Sequence, residues 1–132
     1  MSTNYFQITK ASFTMELQVT IIGKDSFVSI TGGDSFHIGT ATTVSKNTTI
    51  QTIRFPSHDG RFHKDNTLAE IIARIIQSSL PGNCVITAGV HVNDIKKEQI
   101  EASFLMAEQL GEKLQNWLKE TDFNVAEPIY KK

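Results

Sequence analysis

One stretch of ten residues constrains the fold of this chain more than any other feature. From residue 12 to residue 21, apolar side chains alternate strictly with polar ones. This period of two is typical of a β-strand that buries one face and exposes the other. The buried set would be Phe13, Met15, Leu17, Val19 and Ile21. The chain must therefore build a sheet whose buried face is covered by another layer.

The residues after this strand predict three more strands. Gly23 to Asp25 supply a turn, and residues 26–31 form a second strand antiparallel to the first. Residues 32–34 interrupt it. Residues 36–45 are predicted as a third strand, with Phe36 and Ile38 facing inward, and residues 48–55 as a fourth.

The hydrophobic period changes after the polar loop at residues 56–66. From Leu68 onward it fits an amphipathic helix that ends at Pro81, and Thr67 with Glu70 has the pattern of a capping box. Residues 84–92 read as a short apolar strand. A last helix, capped by Asn93 or Asp94, runs to about residue 120. Its expected apolar stripe is Ile100, Phe104, Ala107, Leu114 and Trp117 or Leu118.

The element order β-β-β-β-α-β-α predicts an α+β fold. We expect an antiparallel sheet of five or six strands with both helices on the face that carries Phe13 and Ile21. The opposite face would be free for water, a ligand or a second copy. A chain of 132 residues fits one domain. Its expected core spans residues 12–118, with tails at residues 1–11 and 121–132.

Composition narrows the possible functions. Thirteen basic and fourteen acidic residues leave a net charge of −1, so the chain lacks the basic surface that nucleic acids require. No signal peptide and no apolar run of about eighteen residues is seen, so we expect no membrane span. The single cysteine, Cys84, is consistent with a reducing cytoplasm, where we expect the protein to lie.

Two histidines and two glycines are predicted to share the open face of the sheet. If Phe36 and Ile38 face the core, His37 and Gly39 face the other way. By the same alternation, Gly89 and His91 point to that face from the fifth strand. Glycine weakens a strand interior unless something approaches the backbone closely, so a flat ring lying on these glycines is one interpretation. The alternative is that the two histidines are ordinary strand residues held by hydrogen bonds.

A second set of residues could bind a phosphate. The backbone N–H groups of Gly32 and Gly33, next to Asp34, could face an anion, and Arg61 and Lys64 could neutralise it. The simpler interpretation of Gly-Gly-Asp is a turn, and neither common nucleotide-binding fingerprint is present.

No catalytic or metal site is indicated. His58 and His63 lie in a polar loop without cysteine companions or a metal-binding spacing, so a solvated loop is the simpler interpretation. Cys84 is expected to pack as a small apolar residue. A nucleophile, a base and an oxyanion site are not assembled by any motif.

These same segments resemble the prenylated flavin chaperone family, which includes the D subunit of bacterial gallate decarboxylase. The resemblance rests on TGGD followed by HIG at residues 31–39, on HKD at residues 63–65 before a helix, and on AGVHV at residues 88–92 before a long helix. It covers roughly residues 12–118. The residue chemistry and the matching motifs together give the candidate binding residues Gly32, Gly33, Asp34, His37, Gly39, Arg61, His63, Lys64, Gly89 and His91.

The resemblance implies a fold similar to the small proteasome-assembly chaperones, usually paired as a homodimer. It also implies a non-catalytic helper that binds or inserts prenylated flavin mononucleotide (prenylated FMN). The partner would be a decarboxylase that uses this flavin on aromatic or unsaturated acids such as gallate or protocatechuate.

Two other hypotheses stay open at this point. The chain could be an assembly module of the decarboxylase complex that binds no small molecule. It could also be an enzyme in which His37 and His91 act as acid and base, although the sequence offers no nucleophile or metal motif beside them.

Overall fold

A six-stranded sheet with two helices on one face forms the structure, a computed structural model that describes residues 2–57, 65–123 and 125–131. The predicted α+β class is confirmed. The elements are β1 (Thr3–Lys10), β2 (Phe13–Ile22), β3 (Asp25–Gly33), β4 (Thr40–Val44), β5 (Gln51–Arg54), α1 (Asn66–Ile76), a short 3₁₀ turn (Gln77–Ser79), β6 (Cys84–His91) and α2 (Lys97–Glu120).

The sheet is mixed rather than antiparallel throughout. Its strand order is β1-β2-β3-β6-β4-β5. All neighbouring strands are antiparallel except β3 and β6, which are parallel, with Ser26 opposite Cys84 and Gly33 opposite His91. The prediction of an antiparallel sheet is wrong for this central pair. Parallel neighbours need a crossover, and β4, β5 and α1 together supply it.

The core lies between the sheet and the two helices. The alternating residues of β2, from Phe13 to Ile21, are buried as predicted, and they pack with Ile72 of α1 and Leu110 of α2. The helices lie side by side, since the Gln115 side chain donates a 3.0 Å hydrogen bond to the carbonyl of Ile75. Neither α1 nor α2 lies on the opposite face of the sheet, and the described residues include no other α-helix.

Residues predicted as an N-terminal tail form the edge strand β1. Each residue from Thr3 to Lys10 pairs with β2, and Phe6 and Ile8 pack against the core. The connection is a tight turn in which Ala11 and Ser12 have φ of 50° and 67°. Such angles usually require Gly or Asn, so the sequence carries no hairpin signal here.

The third predicted strand is much shorter than expected. β4 begins only at Thr40, and residues 34–39, which we call the strap, leave the sheet before it. Phe36 and Ile38 are 56% and 58% exposed, so the prediction that they face the core is wrong. The strand assignment failed because short apolar alternation does not distinguish a strand from an extended connection.

The helix starts also differ from the prediction. The Thr67–Glu70 capping box does not form, because Glu70 accepts a 2.8 Å hydrogen bond from Thr52 on β5. α2 begins at Lys97 rather than after Asn93 or Asp94, and the Gln99 side chain accepts the Lys96 N–H. Beyond α2, residues 125–131 form neither helix nor strand, and Glu127 pairs with Lys24.

The thiol of Cys84 is a packing group, as predicted. Its side chain is buried in the core at the start of β6, and burial raises the pKa of Cys84 to about 11, against a smaller lowering by a hydrogen bond with Ser26. A thiol of this kind stays protonated and unreactive at neutral pH.

Two glycines with positive φ give a matched test of the fold. Gly23 has φ +63° with open space beside it, whereas a Cβ on Gly33, at φ +77°, would lie 2.1 Å from the carbonyl oxygen of His91. We expect Gly23→Ala to cost about 1–2 kcal/mol of unfolding free energy from left-handed strain. Gly33→Ala should cost roughly 1–3 kcal/mol more from overlap. Equal losses in urea unfolding would contradict this register.

Candidate functional site

A groove of about 1140 Å³ lies at the carboxyl end of β6. The first turns of both helices border it, through Thr67 and Leu68 of α1 and through Ile100 of α2. The strap and the connection from β6 to α2 form the other sides. Several separate parts of the sequence therefore converge on this one concave surface, which is a common setting for a ligand site.

Exposed apolar side chains form much of the groove wall. Ile38 of the strap is 58% exposed, Ile95 is 44% exposed, and Ile100 and Phe104 of α2 are 42% and 38% exposed. Phe13, Leu68 and Val90 line the same groove from more buried positions. Apolar side chains gathered in one concavity are typical of a site that binds a partly apolar ligand.

Polar groups lie among these apolar walls. The Nε2 atom of His37 is 3.4 Å from Oδ2 of Asp65, whose side chain is only 11% exposed. The other carboxylate oxygen of Asp65 accepts a 3.1 Å hydrogen bond from the backbone N–H of Val90. On the far side, the imidazole of His91 is 3.0 Å from the amide oxygen of Asn93.

Backbone and side-chain hydrogen bonds hold the strap against the end of β6. The Asp34 N–H donates to the carbonyl of His91 at 2.6 Å, and the Gly39 N–H donates to Ala88 at 2.8 Å. The Asp34 carboxylate in turn accepts the Asn93 N–H at 2.8 Å. The predicted site residue Asp34 therefore fixes the connection that follows β6.

The predicted open platform at Gly89 is wrong. Gly89 is buried, and a Cβ there would lie 1.7 Å from the carbonyl oxygen of His37. The strap itself needs the missing side chain, because its main chain crosses directly over this glycine. Gly39 is also buried, and its carbonyl accepts the Phe55 N–H at 2.9 Å.

The predicted break at Gly32 and Gly33 is wrong as well. Both residues continue β3, opposite Val90 and His91 of β6. A Cβ on Gly32 would lie 2.6 Å from the carbonyl oxygen of Thr14. Close packing in the sheet explains these glycines without a ligand, so their role in phosphate binding stays a prediction.

His37 and His91 line the same groove, although not as the alternation predicted. His37 lies on the strap rather than in a strand, and His91 is the last residue of β6. The expectation of a helix-free surface is wrong, because the starts of α1 and α2 border both imidazoles. What the sequence analysis predicted correctly is that the two histidines share one surface.

Three predicted binding residues, Arg61, His63 and Lys64, lie outside the described residues, as does His58. Among the residues that the structure describes, no group of three or more metal-binding side chains comes together. Within the same part of the chain, no helix is long and apolar enough to cross a membrane.

Sequence reasoning included Asp65 in the HKD motif but gave it no role, and it missed Ile95 and the role of two helix residues. Ile100 and Phe104 were assigned to the buried stripe of α2, but they lie where that stripe extends beyond the sheet and faces the groove. An apolar stripe that begins in the first turn of a helix, before any strand can cover it, is the signal that could have found them.

Two sequence comparisons identify the same family, and one solved structure is also similar. The sequence profile described as "Prenylated flavin chaperone LpdD-like domain" matches residues 9–119. Protein LpdD of Lactiplantibacillus plantarum is 42% identical over 125 residues, covering 95% of this chain and 92% of that protein. A chain from a chaperone complex for yeast 20S proteasome assembly has a TM-score of 0.49 and 12% identity, covering 90% of this chain and 99% of that one.

The strap's position makes Gly89→Ala a sharp test of the site. The added methyl group would overlap the His37 carbonyl, so we expect the strap to be displaced and the protein to lose roughly 1–3 kcal/mol of unfolding free energy. Thr87→Ala, on the same face of β6, is the control and should cost less. Amide hydrogen exchange of residues 34–39 should rise in Gly89→Ala alone; unchanged protection there would contradict this placement.

Proposed function

Because this chain belongs to the prenylated flavin chaperone LpdD-like family, we propose that it binds prenylated FMN in the groove at the carboxyl end of β6. It then passes the flavin to a partner decarboxylase and performs no catalysis itself. The observation that carries this proposal is the exposed apolar wall at the point where both helices begin.

The groove suits the ring system of such a ligand. Prenylation adds apolar surface to a flat aromatic system, and Ile38, Ile95, Ile100 and Phe104 offer apolar surface that is otherwise left in water. Sites for drug-sized ligands span roughly 300–1,000 Å³, so the groove has room for a flavin. Its open shape favours a carrier, which must release its ligand as well as hold it.

The first turns of α1 and α2 are suited to bind the phosphate end of the flavin. The N-terminal turn of a helix presents unpaired N–H groups and a partial positive charge to an anion. α1 and α2 both begin at the groove, and among the described residues no side chain caps the first turn of α1. Arg61 and Lys64, predicted on the loop before α1, would add cationic groups.

The polar groups of the groove suit the edge of the ring. A flavin ring carries carbonyl and N–H groups that need partners when they leave water. His91 and Asn93 offer hydrogen-bonding groups in the groove, and the imidazole of His37 lines the same groove. Their proposed role is to contact the polar edge of the ring.

The proposed partner is the catalytic subunit of a decarboxylase that uses prenylated FMN on aromatic acids of the gallate or protocatechuate type. The decarboxylation belongs to that enzyme, and this chain supplies or protects its flavin. The alternative is an assembly module that contacts the same enzyme without a small ligand.

Substitution of the apolar wall tests flavin binding. Phe104→Lys places a charge in the groove wall, whereas Leu105→Lys places the same charge on the adjacent residue, which is 55% exposed and outside the groove. Losing the burial of one aromatic side chain is worth about 1.5–3 kcal/mol, or at least about tenfold in Kd. We therefore expect Phe104→Lys to bind prenylated FMN at least about tenfold more weakly and Leu105→Lys to bind it as the wild type does. The measurement is the flavin absorbance that the protein retains after anaerobic desalting.

The wild-type protein and the control variant distinguish flavin binding in the groove from the assembly-module hypothesis. If wild-type protein retains no flavin but still co-purifies with the decarboxylase subunit, the assembly module is the better description. If both lysine variants bind as the wild type does, the flavin lies elsewhere on the chain.

We also propose that the helix-free face of the sheet pairs two copies of the chain. On this face, Phe27 lies opposite Val85, and Ala41 lies opposite Ile53 on the neighbouring strands; Phe27 is 41% and Ile53 is 66% exposed. Threonine, serine and glutamine side chains surround them, and charged groups are few. Depletion of charge around an apolar centre is typical of a protein interface.

A charge at the middle of that face tests the homodimer. Val85→Arg would bury a guanidinium against its own twofold copy, so we expect a dimer to become a monomer in sedimentation velocity. Tyr5→Arg, on the edge strand β1, is the control and should leave the dimer intact. A wild-type protein that sediments as a monomer at micromolar concentration would contradict this proposal.

A further inference from the structure

We infer that Asp65 is the positioning residue of the groove and that it acts on the ligand through His37. This inference rests on the proposed flavin-binding function and deepens it, because it names the group that orients the imidazole. Asp65 itself lies at the start of α1, and its two carboxylate oxygens connect that helix to two other parts of the site.

The first contact, between Asp65 and Val90, takes the place of a strand hydrogen bond beyond the start of β4. The Gly39 N–H pairs with Ala88 across the β4–β6 edge, but the chain leaves the sheet before residue 39. The N–H of Val90 points to the same edge, because alternate residues of a strand share their hydrogen-bonding side. Asp65 Oδ1 accepts that N–H at 3.1 Å and so satisfies the donor that β4 no longer reaches.

The second connection fixes the ring of His37. Nε2 of His37 lies 3.4 Å from Asp65 Oδ2, and Nδ1 lies 3.2 Å from the carbonyl oxygen of Ser35. The main chain of His37 is meanwhile held over Gly89. The Nδ1 contact and the backbone hold the ring, and the Asp65 carboxylate faces its buried Nε2 atom. The 27% of the His37 side chain that stays exposed is the preorganised surface that can contact the ligand.

Asp65 makes these contacts instead of capping the N-terminus of α1 with its side chain. Asp is among the best N-cap residues, but capping needs an extended backbone and a free side-chain oxygen. Asp65 has φ −71° and ψ −6°, a helical conformation, and makes no side-chain cap hydrogen bond. Its carboxylate instead serves β6 and the strap, which indicates a role in the groove rather than in the helix.

A double-mutant cycle on the full-length protein tests this inference. Asp65→Asn keeps an oxygen that can accept the Val90 N–H but removes the charge facing His37. His37→Gln removes the imidazole and leaves Asp65 in place. We expect each variant to bind prenylated FMN about tenfold more weakly, and the double variant to bind no more weakly than either single one, because the two residues act as one unit.

A second readout excludes a merely structural role. The ¹⁵N shifts of the His37 imidazole in wild-type protein should show a proton on Nε2, and Asp65→Asn should move them while the melting temperature stays within a few degrees. If Asp65→Asn does not fold, the wild-type ring spectrum and the His37→Gln affinity still decide the question.

The outcomes are distinct. Multiplied losses in the double variant, wild-type affinity in either single variant, or an unprotonated Nε2 on His37 would each overturn the role of Asp65 and leave the flavin-binding proposal standing. Absence of flavin binding by the wild type would remove the proposed function and, with it, this inference.

Discussion

The parallel pairing of β3 and β6 is the constraint from which the rest of the structure follows. Because both strands run in the same direction, their carboxyl ends meet at one edge of the sheet. The strap leaves β3 at that edge, and the connection to α2 leaves β6 there too. α1 also begins at this edge, since it must return the chain to the start of β6. The groove is thus the place where three chain connections meet, as ligand sites of many folds with parallel strands are.

Local patterns in the sequence predicted the layers but not this pairing. Alternation in β2 identified a half-buried strand, and the change of period after residue 66 identified α1, because both signals depend only on which side of an element is buried. Strand direction depends on contacts between distant residues, such as Ser26 with Cys84. β1 was missed for a different reason, since its turn at Ala11 and Ser12 adopts angles that those residues rarely take.

The candidate site was only half predictable. His37 and His91 were brought together by an argument whose details were wrong, because both the strap and β6 lead to the same edge. Asp65 could not be found by alternation, since it belongs to neither strand and acts by filling a gap at the end of β4. Glycine was a good marker of close approach, but at Gly89 the approaching group is the protein's own backbone.

The strap is held by hydrogen bonds and by the contact between His37 and Asp65, yet it leaves apolar surface exposed in the groove. It is pinned to the end of β6 through Asp34 and to α1 through His37, while its apolar residue Ile38 stays exposed at the groove. A ligand that covers this exposed apolar surface gains binding free energy, and the hydrogen-bonded polar groups around it do not have to rearrange. Under the proposed carrier function, this arrangement would also allow release, because an open groove would leave part of the ligand uncovered. Under the proposed function, the acceptor enzyme would compete for the ring by burying it more completely than the groove does.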